Sequence, residues 1–371
     1  MRFSLFYNFD VAPEQDVPTL YRDVEEQAIA ADRLGFDAIW LAEHHFTVYG
    51  RLPAPLTYLA WVGAKTTRIG LGTAVIEAPY YQPLRLAEDT ALLDVMSGGR
   101  ARLGVGSGAA RMKPEEFLKF GIPVEEKTAR MLETIEVLHR AFADPSIRHE
   151  GRFFQYDDVE LNPRPVQRAE DLIWVAGSQS TVELAGERGY GLLVPRVGAT
   201  DGHRDLIRRY REAANGRPSF VSMLRFVYVA ETEREAQEQT RRTFERYAKY
   251  DCGVEWDGRT DSAEYVDLAD RMHFVIGTPE QVSETLLAWR DDFGFDEIMC
   301  QLYAAGMRHE DSLRSLELLG TEVLPRLQTT KSARASSHGT DVPKTDPVVT
   351  SSRENGVRAT APRVGAAVRK G

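Results

Sequence analysis

Eight short runs of apolar or β-branched residues, each followed by a stretch of helical periodicity, constrain this chain more than any other feature. The runs are Arg2–Tyr7, Asp37–Ala42, Arg68–Ile76, Arg100–Ser107, Leu172–Gly177, Gly191–Pro195, Ser219–Val229 and Asp296–Leu302. After the first, Leu20, Val24, Ala28, Ala31 and Leu34 recur every three or four residues until Gly35 stops the pattern. Similar helical stretches cover Pro55–Lys65, Pro83–Met96, Glu126–Phe142, Thr181–Arg188, Arg204–Ala214, Glu233–Lys249, Pro279–Asp292 and Glu310–Leu327. Strands alternating with helices pair in parallel through crossovers. An open doubly wound sheet and a closed barrel both satisfy that rule. Eight units in 371 residues favour the (β/α)8 TIM barrel, which needs ~250 residues plus insertions.

The insertions follow strands four and seven. Residues 108–125 and 144–170 lengthen the first link, and residues 250–276 the second. Arg152–Tyr156 and Val159–Leu161 read as a small hairpin. Long loops on a barrel shape or cover its active site. The barrel domain is expected to occupy residues 1–328. Residues 329–371 hold no Leu, Ile, Phe, Tyr or Trp and carry eight Lys or Arg against three Asp or Glu, so they read as a disordered tail.

A formal charge of −10 argues against a nucleic-acid partner, because phosphate backbones are held by Lys and Arg. No apolar run approaches the ~20 residues needed to cross a bilayer. No signal peptide is read at the start. Two cysteines, Cys252 and Cys300, form neither a CxxC pair nor a zinc spacing, which fits a reducing cytoplasm.

Chemistry in such barrels sits at the C-terminal ends of the strands. Strand two ends in Glu43-His44-His45-Phe46. Neighbours on an extended chain point to opposite faces, so one histidine at most faces the mouth. The pair lacks the i, i+4 spacing of a helical zinc site, and proton transfer is the better reading. Strand three carries Gly72, Thr73 and Ala74, small enough either for close ligand approach or for tight barrel packing. Strand four ends Gly104-Val-Gly-Ser-Gly-Ala109, a formal G-x-G-x-x-A match that includes Gly106 and Ser107. Its place after the fourth strand, and Pro114 soon beyond, argue against a dinucleotide fingerprint. Strand five ends Val175-Ala-Gly-Ser-Gln-Ser-Thr181 before a helix, which suits either an anion site or an ordinary cap. Arg130 is placed to supply a guanidinium if its loop folds over the same mouth.

Together these residues resemble the bacterial-luciferase-like flavin monooxygenases, from about residue 1 to 327. The most specific stretches are Gly35-Phe-Asp-Ala-Ile-Trp-Leu-Ala-Glu-His-His-Phe-Thr47 and Ala87-Glu-Asp-Thr-Ala-Leu-Leu-Asp-Val-Met-Ser-Gly-Gly-Arg100. Glu183-Leu-Ala-Gly-Glu-Arg-Gly189 and Val275-Ile-Gly-Thr-Pro-Glu280 add to them.

The resemblance implies a barrel that takes reduced FMN (FMNH2) from a separate NAD(P)H-dependent flavin reductase. It implies O2 activation as a flavin hydroperoxide, oxygenation of a small organic substrate, and a homodimer. By position it makes His44 the proton-transferring histidine. Ala74 and Val75 would form a non-prolyl cis peptide under the flavin ring. Arg130, Ser178 and Thr181 match phosphate positions, and Glu43, Gly106, Ser107, Ala176 and Gly177 line the same pocket. Light-emitting members carry a cysteine where this chain has Gly106 and a carboxylate where it has Gly177, and their lid is longer than residues 250–276. Both glycines are expected to enlarge the pocket, away from a straight-chain aldehyde. A deazaflavin (F420)-dependent hydride-transfer enzyme and a non-catalytic flavin-binding subunit are the alternatives.

Overall fold

The computed structural model describes residues 1–327, apart from residues 11, 13, 14, 48, 109–113 and 197. The expected tail at 329–371 lies outside the described residues. Strand β1 (Arg2–Tyr7) pairs in parallel with β2 (Ala38–Leu41), and β2 with β3 (Gly70–Thr73). Strand β3 continues as β4 (Ile76–Glu77), and both pair with β5 (Ala101–Gly106). After a hairpin of β6 (Ile147–Glu150) and β7 (Gln155–Val159) come β8 (Ile173–Ala176), β9 (Gly191–Val194) and β10 (Val221–Val229). A short β11 (Phe274–Gly277) precedes β12 (Glu297–Gln301), which pairs with both β10 and β1 and closes the ring. The fold is the expected TIM barrel.

Helices wrap the ring. They are α1 (Val17–Leu34), α2 (Pro55–Gly63), α3 (Pro83–Ser97), α4 (Pro114–Lys119), α5 (Lys127–Ala143), α6 (Ala169–Leu172), α7 (Val182–Arg188) and α8 (Thr200–Ala214). Beyond them lie α9 (Glu233–Cys252), α10 (Ala263–Met272), α11 (Pro279–Phe293) and α12 (His309–Leu318). Helix α1 shows why they end where they do. The Asp16 carboxylate accepts from Thr19 N at its start, and Gly35 terminates it at φ 90°.

Alternate strand residues face the helices, among them Leu5, Ile39, Leu41, Leu71, Leu103, Val175 and Leu192. The opposite set fills the barrel: Phe6, Trp40, Ala42, Trp174, Leu193 and Met299. Trp40 and Trp174 meet edge to face at 5.0 Å. Gly72 and Gly191 leave them room. A Cβ at Gly72 would lie 2.3 Å from Trp40 Cε3, and one at Gly191 would lie 2.2 Å from Trp174 Cε3. Below the indoles, Arg102 approaches Glu297 at 3.4 Å, and the same carboxylate accepts from Trp40 Nε1 and Ser4 Oγ. Beneath them an open basin of ≈ 470 Å³, bordered by Arg2, Asp37, Arg68 and Arg102, occupies the N-terminal face. It lies at the end opposite the strand termini where barrels do their chemistry.

Three expectations need correction. The third strand is not continuous over Arg68–Ile76: its pairing slips by one residue, from Leu71↔Ala101 to Ile76↔Val105. At the break the Thr73 hydroxyl takes the place of ladder bonds, accepting from Gly104 N and donating to Gly104 O, both at 2.9 Å. Residues 274–277, assigned in part to the second insertion, form β11. Strand β10 is nine residues long and outruns β9, so Phe226–Val229 pair with β11 instead.

The hairpin strands, finally, are 147–150 and 155–159, not 152–156 and 159–161. Amides of Arg152, Phe153 and Phe154 all donate to the Glu133 carboxylate of α5, at 2.8–3.1 Å, so they cannot join a ladder. Burial acts to raise the Glu133 pKa, but the bonds from Phe154, Phe153 and His149 outweigh it and hold the carboxyl below its ordinary value. A depressed pKa contributes stability above the unfolded-state value, lost as pH falls through the folded one. The amides of Arg152–Phe154 are therefore expected to lose hydrogen-exchange protection below the usual glutamate range, ahead of the barrel strands. Equal loss in the barrel would contradict this.

Candidate active site

Strand β2 ends with its inward residues Ala38, Trp40 and Ala42 in line, and the next inward position is His44. His44 Nε2 lies 2.7 Å from Asn8 Oδ1, at the end of β1. Asn8 Nδ2 donates to Tyr49 O at 2.8 Å, which orients the amide with its oxygen toward the ring. Nε2 of His44 therefore carries the proton in the neutral ring. Tyr49 packs edge-on against the imidazole at 5.1 Å. Gly50 permits this closure, since a Cβ there would lie 2.0 Å from His44 Cδ2. Asn8 and Gly50 went unread in the sequence. An Asn after a strand and a Gly in a loop carry no signal until the fold brings them to the histidine.

His45 turns the other way. Its Nε2 lies 2.6 Å from the buried Glu43 carboxylate, which also accepts from Glu77 N and Tyr81 OH at 3.0 Å each. Glu43 thus ties β4 to the end of β2, directly after the strand break. Burial, then the nearby Glu43, pushes the Tyr81 phenol far up, so it stays a hydrogen donor.

The Ala74–Val75 peptide is cis. It joins β3 to β4 at the mouth. A Cβ at Gly106 would lie 2.5 Å from Val75 Cγ2 and 3.4 Å from Ala176 Cβ, so Val75, Gly106 and Ala176 meet as one small-residue wall. Gly177 does not share it. A Cβ there would lie 2.6 Å from Leu206 Cδ2 of α8. Ala176 faces inward, so its neighbour faces the helix layer. A side chain at Gly106 would thus meet Val75, whereas one at Gly177 would meet Leu206 of α8.

Ser107 accepts from Lys127 Nζ at 3.1 Å, and the same ammonium reaches Gly108 O. Burial lowers the Lys127 pKa, partly opposed by Glu77. This lysine, unnoticed in the sequence, opens α5, the helix that carries Arg130. Arg130 pairs with Glu126 at 2.9 Å and lies over the Phe153 ring at 4.4 Å. At the β8–α7 turn, Thr181 is buried and uses its hydroxyl on the turn itself, donating to Ala176 O and accepting from Ser178 N. Ser178 and Ser180 are exposed. Helices α5 and α7 follow neighbouring parallel strands and are pinned together by Arg188–Glu136 at 2.9 Å. Arg130 precedes Glu136 by six residues and Val182 precedes Arg188 by six, about 9 Å along each helix. Arg130 and the start of α7 therefore lie at about the same height on helices joined by that ion pair.

A family profile described as luciferase-like monooxygenase matches residues 1–297. The chain belongs to this family. Among luciferase-like relatives, the oxygenase component of a flavin-dependent trigonelline monooxygenase from Acinetobacter baylyi is 28% identical, covering 89% of this chain and 97% of that protein. The crystal structure of the monooxygenase RslO1 from Streptomyces bottropensis superposes with a TM-score of 0.80 at 28% identity, over 88% of this chain and 99% of that one. An F420-dependent glucose-6-phosphate dehydrogenase from Kineococcus radiotolerans is 29% identical, over 50% of this chain and 55% of that protein. This luciferase-like chain is thus an oxidoreductase of a flavin monooxygenase family. No helix among its described residues is long and apolar enough to cross a membrane.

Proposed function

We propose that the chain is the oxygenase of a two-component cytoplasmic system, taking reduced FMN from a separate NAD(P)H-dependent flavin reductase. It places one atom of O2 in a small organic substrate and releases the other as water. The observation that carries this reading is the small-residue wall of Val75, Gly106 and Ala176, with His44 at the same end of the barrel. Such a wall suits a flat ring brought close to the backbone. The polar rim of Arg130, Lys127 and Ser178 suits a phosphorylated tail. The donor set therefore fits FMN.

Reduced flavin bound there supplies the two electrons that activate O2. His44 holds a proton on Nε2 against Asn8 and hands one on or takes one up beside the ring. Val75 and Ala176 keep water from the inner side of the pocket. Arg130 and Ser178 bind the phosphate, Thr181 shapes the turn that presents Ser178, and Glu43 keeps β4 in place. Trp61, Leu92, Val95 and Met96 leave an apolar face exposed on α2 and α3, which supports a homodimer joined there.

An anaerobic titration of reduced FMN against reduced F420, followed by mixing with oxygen, tests the reading. Preference for FMN and an absorbance transient between reduced and oxidised flavin are expected. Preference for F420 with no oxygen-dependent transient would replace the proposal with hydride transfer.

A further inference from the structure

The hairpin β6–β7 carries no residue assigned to the chemistry, yet its tip closes on the guanidinium of Arg130. Three consecutive amides, those of Arg152, Phe153 and Phe154, converge on the Glu133 carboxylate, and His149 Nε2 joins them at 3.2 Å. Gly151 lets the chain pass, since a Cβ there would lie 2.0 Å from Glu133 Oε1. The loop so held sets the Phe153 ring against two cations, 4.4 Å from Arg130 Cζ and 4.7 Å from Arg152 Cζ. Glu126 links the same two arginines, at 2.9 and 3.0 Å. Arg130 is thus fixed on one side by its own helix and on the other by a loop that Glu133 folds.

We propose that Glu133 is a positioning residue of the cofactor-phosphate site, acting through Phe153 to hold the Arg130 guanidinium at the rim. The inference rests on the reading that Arg130 binds that phosphate. The physical reason is preorganisation. An arginine side chain loses rotamer freedom when it grips an anion, and a ring stacked on its face removes part of that loss before the ligand arrives. One carboxylate accepting three amides is a rigid way to hold the ring.

Reduced FMN and reduced riboflavin share the ring and differ in the phosphate, so the ratio of their dissociation constants isolates this site. Anaerobic ultrafiltration with the full-length protein should give the wild type a preference for FMN of about 10²-fold, as charge-assisted contacts allow. Arg130→Ala should remove most of it. Glu133→Ala and Gly151→Ala should each cut the preference about tenfold with riboflavin binding unchanged. Adding Glu133→Ala to Arg130→Ala should then change nothing further. Phe153→Leu keeps the carboxylate and its amides, and carries the test if Glu133→Ala does not fold.

A full FMN preference in Glu133→Ala and Phe153→Leu would overturn the proposal. So would equal losses for FMN and riboflavin, the mark of a merely structural role. A wild type without preference, or an unchanged Arg130→Ala, would instead overturn the phosphate reading beneath it.

Discussion

Replacing His44 by alanine is expected to slow the reaction by about 10²-fold or more, the usual contribution of a positioned proton-transfer group. Binding of reduced FMN should change little, because the wall of Val75, Gly106 and Ala176 and the rim arginine remain in place. Rapid mixing of the reduced-FMN complex with oxygenated buffer, with and without candidate substrates, measures the effect. Asn8→Ala gives the companion result. It removes the acceptor 2.7 Å from Nε2, frees the tautomer and ring orientation, and should slow the same step by a smaller factor. Unchanged rates in His44→Ala would remove the histidine from the mechanism and leave the binding assignments standing.

The second large effect is on stability. A Cβ at Gly104 would lie 1.9 Å from the Thr73 carbonyl oxygen and 2.7 Å from Leu193 Cδ1. Backbone cannot yield as a flexible side-chain end does. Gly104→Ala must therefore push β5 away from β3, break the two bonds between Thr73 Oγ1 and Gly104, and disturb the strand break at Ala74–Val75. Overpacking of a barrel interior costs ~1–3 kcal/mol, and more where backbone must move. A loss of at least ~3 kcal/mol in chemical denaturation is expected, with weakened flavin binding in whatever remains folded. An alanine variant as stable as the parent would mean that the barrel relaxes far more freely than close packing permits.

The barrel was legible because short, mostly apolar strands alternate with helical periodicity along the chain. A run such as Gly191-Leu-Leu-Val194, short and apolar throughout, suits a strand buried between a filled centre and a helix layer. His44 was legible for a related reason: it continues the inward series of β2, and the mouth lies where that series ends.

What escaped notice depends on distant partners. Asn8 and His44 lie 36 residues apart, and nothing local to Asn8 marks it. The hairpin strands differ from the expected ones because Phe153-Phe154 looks extended and apolar, while the amides of Arg152–Phe154 belong to a carboxylate 19–21 residues earlier. At Gly177, which the resemblance places in the pocket, a Cβ would meet Leu206 of the helix layer, a contact that nothing in the local sequence marks. Strand β11 was hidden because, among the described residues, it pairs with the overhang of β10, which is distant in sequence.

Trp40 with Gly72, and Trp174 with Gly191, each share a single volume: one partner of each pair has an indole and the other has nothing at all. Neither member can therefore drift alone. Enlarging a glycine demands a smaller ring opposite, and shrinking an indole leaves a hole that the glycine cannot fill. Whoever builds variant libraries of this enzyme should diversify these positions two at a time. Single-site screens will score all four as immutable, and will mistake a trade in space for a demand of the chemistry above.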